Sequence, residues 1–245
     1  MKQIIKLFSV IILVNTWHIV TAQNFHVLDV NKSSDSYPAN GNFNGNYDQS
    51  YSAFTYAVLN GISYFSANDG IHGVELWKSD GTASGTVMIK DINPGSASSN
   101  VYDITVSGNK IYFCADDGIH GTELWVTDGT EANTKMLKDI YLGSIGSNPS
   151  YLVDGDGELY FFTNYAALGD QLWKTDGTNA GTIKITSFYK PKFNYSQYGN
   201  QLTYVNGRLF FALNGGGSQY DNGPGQLWTS DGTSVGTQML RQINY

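Results

Sequence analysis

The sequence predicts an all-β protein, a β-propeller built from four-stranded antiparallel blades. One segment of eight residues occurs four times, and short strand-like runs separated by turn signals fill the intervals between its copies. Self-similarity at a period of about 40 to 50 residues is typical of repeat architectures. The chain also has 17 Tyr and 12 Phe, and aromatic residues favour the half-buried surface of a pleated sheet.

The repeated segment combines a tryptophan with an Asp-Gly-Thr turn signal. Its copies are ELWKSDGT at 75–82, ELWVTDGT at 123–130, QLWKTDGT at 171–178 and QLWTSDGT at 226–233. Other landmarks keep the same phase, which predicts one propeller domain over 51–245. The four predicted units span about 51–97, 98–146, 147–198 and 199–245.

Each unit divides into four short strands. In the second unit they are predicted at 101–106, 111–115, 122–126 and 134–139, with turn signals between them. A single blade cannot bury both of its faces, so blades are expected to stack around an axis. The equal phase of the units fits either a closed four-bladed ring or a part of a larger propeller.

The first 22 residues are typical of a secretory signal peptide. Lys2 and Lys6 flank its start, an apolar run of eight residues follows, and small residues precede Gln23. The apolar run is too short to span a bilayer, which takes about 20 residues. We therefore expect an exported chain, secreted or at the cell surface, without a transmembrane segment after signal removal. Residues 23–50 are predicted to form a polar spacer.

Charge and cysteine content narrow the possible partners. The formal net charge is -7, and an acidic protein repels the phosphates of nucleic acids, so nucleic-acid binding is not expected. Cys114 is the only cysteine, which excludes an intramolecular disulfide. Its strand-like surroundings predict a small buried residue rather than a nucleophile.

The repeated segments, the Gly-Thr pairs that follow them and the Lys-Asp-Ile of the first two units resemble the ELWxxDGT repeat family. This is a family of exported bacterial repeat proteins, typical of Bacteroidota. The resemblance covers about 54–243 and implies propeller-like repeats with no established enzymatic activity. The chain departs from the pattern at Gln171 and Gln226, which replace Glu, at Asn133, which replaces Gly, and in units 3 and 4, which lack Lys-Asp-Ile.

The repeat signature itself is predicted to be structural. A ligand-stacking aromatic would more usually be kept in some blades and lost in others, whereas all four units carry the tryptophan, which favours packing between blades. The aspartates are expected to accept hydrogen bonds from the backbone just ahead of them, and Gly supplies a positive φ. The residues concerned are Trp77, Trp125, Trp173, Trp228, Asp80, Asp128, Asp176 and Asp231.

No metal or cofactor is expected, with Ca²⁺ at the Asp-Gly-Thr turns as the alternative. Units 1 and 2 share the segments Asp69-Gly-Ile-His72-Gly and Asp117-Gly-Ile-His120-Gly, where a hairpin turn is favoured over a transition-metal site. The acidic run 154–158 superficially resembles a calcium loop but aligns with the plain hairpin of unit 2.

Units 3 and 4 carry longer, aromatic-rich insertions, and insertions in repeat proteins often mark the binding face. The candidate ligand surface predicted from them is Phe188, Tyr189, Tyr195, Tyr198, Tyr220 and Asp221. The favoured function is a non-catalytic binding or adhesion module for a glycan or a surface protein. The alternatives are a glycan-degrading hydrolase or lyase with residues at the propeller mouth, and a structural scaffold without a ligand of its own.

Overall fold

The computed structural model describes residues 56–165, 169–188, 202–214 and 225–243, which form sixteen strands in four antiparallel sheets of four. Unit 1 contains β1 (Tyr56–Leu59), β2 (Ile62–Asn68), β3 (Val74–Ser79) and β4 (Val87–Lys90). Unit 2 contains β5 (Tyr102–Ser107), β6 (Lys110–Asp116), β7 (Thr122–Thr127) and β8 (Lys135–Met136). Unit 3 contains β9 (Ser150–Gly155), β10 (Glu158–Tyr165), β11 (Gly169–Thr175) and β12 (Ile183–Phe188). Unit 4 contains β13 (Thr203–Val205), β14 (Arg208–Asn214), β15 (Gly225–Ser230) and β16 (Gln238–Ile243).

In every sheet the strands are ordered as in the sequence, so each unit is a simple meander and forms one propeller blade. The hairpin between the first two strands is a two-residue turn, as at Asn60-Gly61, where both residues have a positive φ. The acidic run 154–158 makes the same turn with Asp156 and Gly157. It is therefore a hairpin, as its alignment with unit 2 indicates.

The blades pack face to face in chain order. The first strand of each unit contacts the first strand of the next, β1 with β5, β5 with β9 and β9 with β13. A cluster of buried apolar side chains fills each of these three junctions. The first strands therefore lie on the inner side of the array, and the fourth strands lie on its outer side.

Burial on both faces explains the apolar composition of the second strands. Ile111, Phe113 and Ala115 of β6 pack towards unit 1, whereas Tyr112 and Cys114 pack towards unit 3. All five are at most 1% exposed, and such a strand lacks the alternation of a half-buried one. Cys114 is thus the small buried residue that its position predicts.

The fourth strand of unit 2 is shorter than the predicted 134–139. Its ladder covers Lys135–Met136, although Leu137 N still donates to Leu124 O at 2.9 Å. In the other three units the same ladder has a bulge opposite the Leu-Trp pair, so irregular pairing here is a property of the repeat. The part of the chain that the structure describes contains no helix long and apolar enough to cross a membrane.

Candidate functional site

The tryptophans of units 2 to 4 pack against the preceding blade. Trp125 belongs to the cluster between units 1 and 2, and Trp173 to the cluster between units 2 and 3. Trp228 packs, half-buried, against the cluster between units 3 and 4. Each ring stacks on a phenylalanine of its own sheet with centroids 6.3 to 6.4 Å apart, so these side chains fill interblade cores.

The replacement of Glu by Gln in units 3 and 4 coincides with a change of partner for the indole. Trp173 Nε1 donates to Gln171 Oε1 at 3.2 Å, and Trp228 Nε1 donates to Gln226 Oε1 at 3.1 Å. In unit 2 the indole of Trp125 donates instead to the carbonyl of Ala115 at 3.1 Å. The glutamines therefore accept the hydrogen bond of an indole N–H within their own strand.

Glu75 and Glu123, which take this position in units 1 and 2, hold the connectors to the next blade. Glu75 accepts hydrogen bonds from Ile92 N and from both N and Oγ of Ser99. Glu123 does the same for Ser147. Both glutamates are fully buried, and burial raises the pKa of Glu123 to about 7 despite these hydrogen bonds. The sequence alone does not reveal this role because the partners lie 24 residues away.

The Asp-Gly-Thr turns are closed by hydrogen bonds that recur in all four units. Asp80 Oδ1 accepts from Thr82 N at 2.9 Å and from Thr82 Oγ1 at 2.7 Å. These bonds lower the pKa of Asp80, so its carboxylate is ionised at neutral pH. In unit 2, Asn133 donates its amide to Asp128 Oδ2 at 2.7 Å, which explains how Asn replaces the Gly of the other units.

In units 2 to 4 the glycine of the turn lies against the preceding blade. A Cβ added to Gly129 would stand 2.5 Å from Tyr64 Oη, and one added to Gly177 would stand 2.6 Å from Tyr112 Oη. Lys78 Nζ also reaches across the junction and donates to Gly129 O at 2.7 Å. The turns are thus interblade contacts, and a side chain at the glycine would separate the blades.

The His-Asp segments form paired turns on the opposite end of the sheets. Asp69 Oδ1 accepts from the backbone N of Ile71 and His72, and Oδ2 lies 2.7 Å from His72 Nδ1. The arrangement repeats at Asp117 and His120. Within the described ranges, no three His, Cys, Asp or Glu side chains are grouped so that they could hold a metal ion.

A groove of about 540 Å³ opens between units 1 and 2 at the end of the sheets that carries the Asp-Gly-Thr turns. In each sheet the hairpin between the first and second strands and the hairpin between the third and fourth strands lie at this end. Hairpins of both unit 1 and unit 2 therefore contribute to the wall of the groove. Polar groups line it beside an apolar strip that includes Ile62 and Val87. The polar and charged side chains come from Asn60, Tyr64, Lys78, Asp80, Ser84, Asn109, Asp128 and Thr130.

One predicted ligand-surface residue is in the core. Phe188 is 9% exposed and packs edge-on against Phe211 and Trp228, with centroids 5.5 and 5.0 Å apart. The prediction that it forms a ligand surface is therefore wrong, because Phe188 takes the repeat position of Ile92, which is also buried. Tyr189, Tyr195, Tyr198, Tyr220 and Asp221 lie outside the described residues.

Sequence comparisons do not place the chain in a family. No protein-family model matches it, and a search of curated proteins finds no match.

Several solved structures are similar to parts of the chain. A TolB from Agrobacterium tumefaciens shares 13% identity over 74% of this chain, with a TM-score of 0.45, and the match spans 61% of that protein. The endo-arabinase of Bacteroides thetaiotaomicron shares 13% identity over 78% of this chain and 80% of its own, with a TM-score of 0.40. Prolyl oligopeptidase B of Galerina marginata shares 16% identity over 78% of this chain and 26% of its own, with a TM-score of 0.48. Similarities this low say nothing about the activity of this chain.

Proposed function

We propose that this protein is an exported, non-catalytic β-propeller of the ELWxxDGT repeat type that binds a glycan or a surface protein. The observation that carries the proposal is the groove between units 1 and 2. Its volume of about 540 Å³ falls within the usual range of ligand pockets, about 300 to 1,000 Å³. Its walls are strand residues and short turns, and the turns are held by repeated hydrogen bonds, so the site is largely formed before a ligand arrives.

The lining of the groove suits a neutral saccharide best. Asn60, Ser84 and Asn109 offer amide and hydroxyl groups, while Val87 is 40% exposed beside them. A sugar ring presents hydroxyls on its rim and C–H groups on its faces, so it can use both kinds of surface. The two carboxylates of Asp80 and Asp128 outnumber the one lysine of the lining, Lys78, so a net negative charge disfavours sulfated or uronic glycans by like-charge repulsion.

The carboxylates of the groove are better suited to binding than to proton transfer. Hydrogen bonds from Thr82 lower the pKa of Asp80, and those from Thr130 lower the pKa of Asp128. A general acid at neutral pH needs a raised pKa instead. These two groups therefore serve as hydrogen-bond acceptors for ligand hydroxyls.

The test is a glycan array probed with the chain from residue 23 onward, followed by calorimetry with the best ligand. Ser84→Phe fills the groove and is expected to weaken binding at least about tenfold, which corresponds to about 1.4 kcal/mol. Ala180→Phe places the same side chain at the equivalent turn position of unit 3 and is expected to leave the affinity unchanged. Equal affinities of the two variants would place the ligand elsewhere. Release of reducing ends from a polysaccharide panel would contradict a non-catalytic role.

A further inference from the structure

The three blade junctions define which side chains a following blade covers. In units 1 to 3 an aliphatic residue in the fourth strand or directly after it is buried, since Ile89, Leu137 and Ile185 are 3 to 7% exposed. Leu240, the corresponding residue of unit 4, is 48% exposed. Phe210 and Leu227 are half-buried, although their counterparts in the other units are buried. We name Phe210, Leu227 and Leu240 the trailing face of unit 4.

Unit 1 has a matching incomplete face on the side that a preceding blade would cover. Gly81 is exposed and would place an added Cβ in open space, whereas Gly129 is buried against Tyr64 of the preceding blade. Phe65 is half-buried, although its counterparts in units 2 to 4 are buried. Trp77 takes the repeat position of Trp125, which packs on the preceding blade. We name Phe65, Trp77 and Gly81 the leading face of unit 1.

The described blades form an arc. The first strands contact one another from β1 through β5 and β9 to β13, and among the described strands no comparable contact joins β13 back to β1. The trailing face nevertheless retains the Phe and Leu, and the leading face the Phe and Trp, of an internal junction. The trailing face is therefore complementary to the leading face in the same way as the facing sides of neighbouring units in the chain are complementary to each other.

We propose that the trailing face of unit 4 binds the leading face of unit 1 of a second copy, so that two four-bladed arcs close into one eight-bladed ring. Such a contact is heterologous, and heterologous contacts form rings when the rotation closes. Eight blades lie within the usual range of β-propellers, about four to eight. At the new junction Phe210 packs against Gly81, as Tyr64 packs against Gly129 between units 1 and 2. Phe210 lacks the hydroxyl of Tyr64, so the space beside Gly81 is larger.

Sedimentation velocity of the chain from residue 23 onward tests this proposal. We expect the mass of two copies for the wild type and of one copy for Leu240→Glu, because a carboxylate in the junction has no partner. Val235→Glu is the matched control, since Val235 is 96% exposed on a turn of the same unit. This variant should remain dimeric, and thermal melting of both variants verifies that they are folded.

Mixing two monomeric variants distinguishes heterologous pairing from other contacts. Leu240→Glu keeps the leading face intact, and Phe65→Glu keeps the trailing face intact. A mixture of the two should recover dimers through one native junction, whereas neither variant dimerises alone. A monomeric wild type, species larger than two copies, a dimer that survives Leu240→Glu, or a mixture that stays monomeric would each overturn the proposal.

Discussion

Replacing Trp125 by alanine removes the largest side chain from the junction between units 1 and 2. Trp125 is 6% exposed, stacks on Phe113 and donates its indole N–H to the carbonyl of Ala115. A buried Trp→Ala change costs about 3 to 5 kcal/mol. Most of the lost packing lies between two blades, so the whole array is expected to lose stability together.

Thermal unfolding followed by circular dichroism measures this loss. For a domain of about 200 residues, 1 kcal/mol corresponds to about 2 to 4 °C in Tm, so the predicted decrease is about 6 to 20 °C. Trp228→Ala is the comparison within the same chain and should cost less, because Trp228 is only half-buried. A Trp125→Ala protein that melts at the wild-type temperature would refute the interblade packing role.

Three further predictions concern the glutamate, the turn glycine and calcium. Glu123→Gln is expected to flatten the pH dependence of stability. The pKa of Glu123 rises from 4.5 to about 7 on folding. The stabilising contribution of the wild-type glutamate is therefore complete below pH 4.5 and is lost as the pH rises to about 7. Urea unfolding across this interval checks it, and parallel curves for both proteins would argue against a buried glutamate that titrates there. Gly129→Ala should lower Tm more than Gly81→Ala, since both have φ near +90° but only Gly129 meets a neighbouring blade; an equal loss would mean that the Tyr64 contact is unimportant. Excess EDTA should leave Tm unchanged because Asp80 Oδ1 already accepts two hydrogen bonds from Thr82, and a decrease restored by Ca²⁺ would reverse this assignment.

The repeat made the blades predictable from sequence. Turn residues at fixed offsets mark the ends of short strands, and identical phase in four units implies identical sheets. The second unit illustrates this, with strands at 102–107, 110–116 and 122–127 against predicted strands at 101–106, 111–115 and 122–126. These signals depend only on residues close together in the chain, so they can be read from a single sequence.

Phe188 shows where the sequence reasoning failed although a signal was present. It stands at the start of an aromatic-rich insertion, which suggested a ligand surface. Alignment of the repeats places Thr186-Ser187-Phe188 over Lys90-Asp91-Ile92, so Phe188 takes the position of a buried Ile92. The prediction relied on the aromatic composition of the insertion, whereas the position of Phe188 in the repeat determines where its side chain packs.

Other features depend on contacts between distant parts of the chain. The hydrogen bonds that Ser99 donates to Glu75 cross a connector whose path the sequence does not reveal. The groove is lined by turns of two units, so its walls become adjacent only when the blades pack. Its position therefore required the structure.

The measurement that tests the proposed binding role most directly is the dissociation constant of the best array ligand for three proteins, the wild type, Ser84→Phe and Ala180→Phe. We predict saturable binding by the wild type and by Ala180→Phe, with at least about tenfold weaker binding by Ser84→Phe. An array without any bound glycan, probed with protein shown to be folded, would contradict glycan binding and leave a protein partner to be sought. Unchanged affinity of Ser84→Phe would contradict the groove as the binding site.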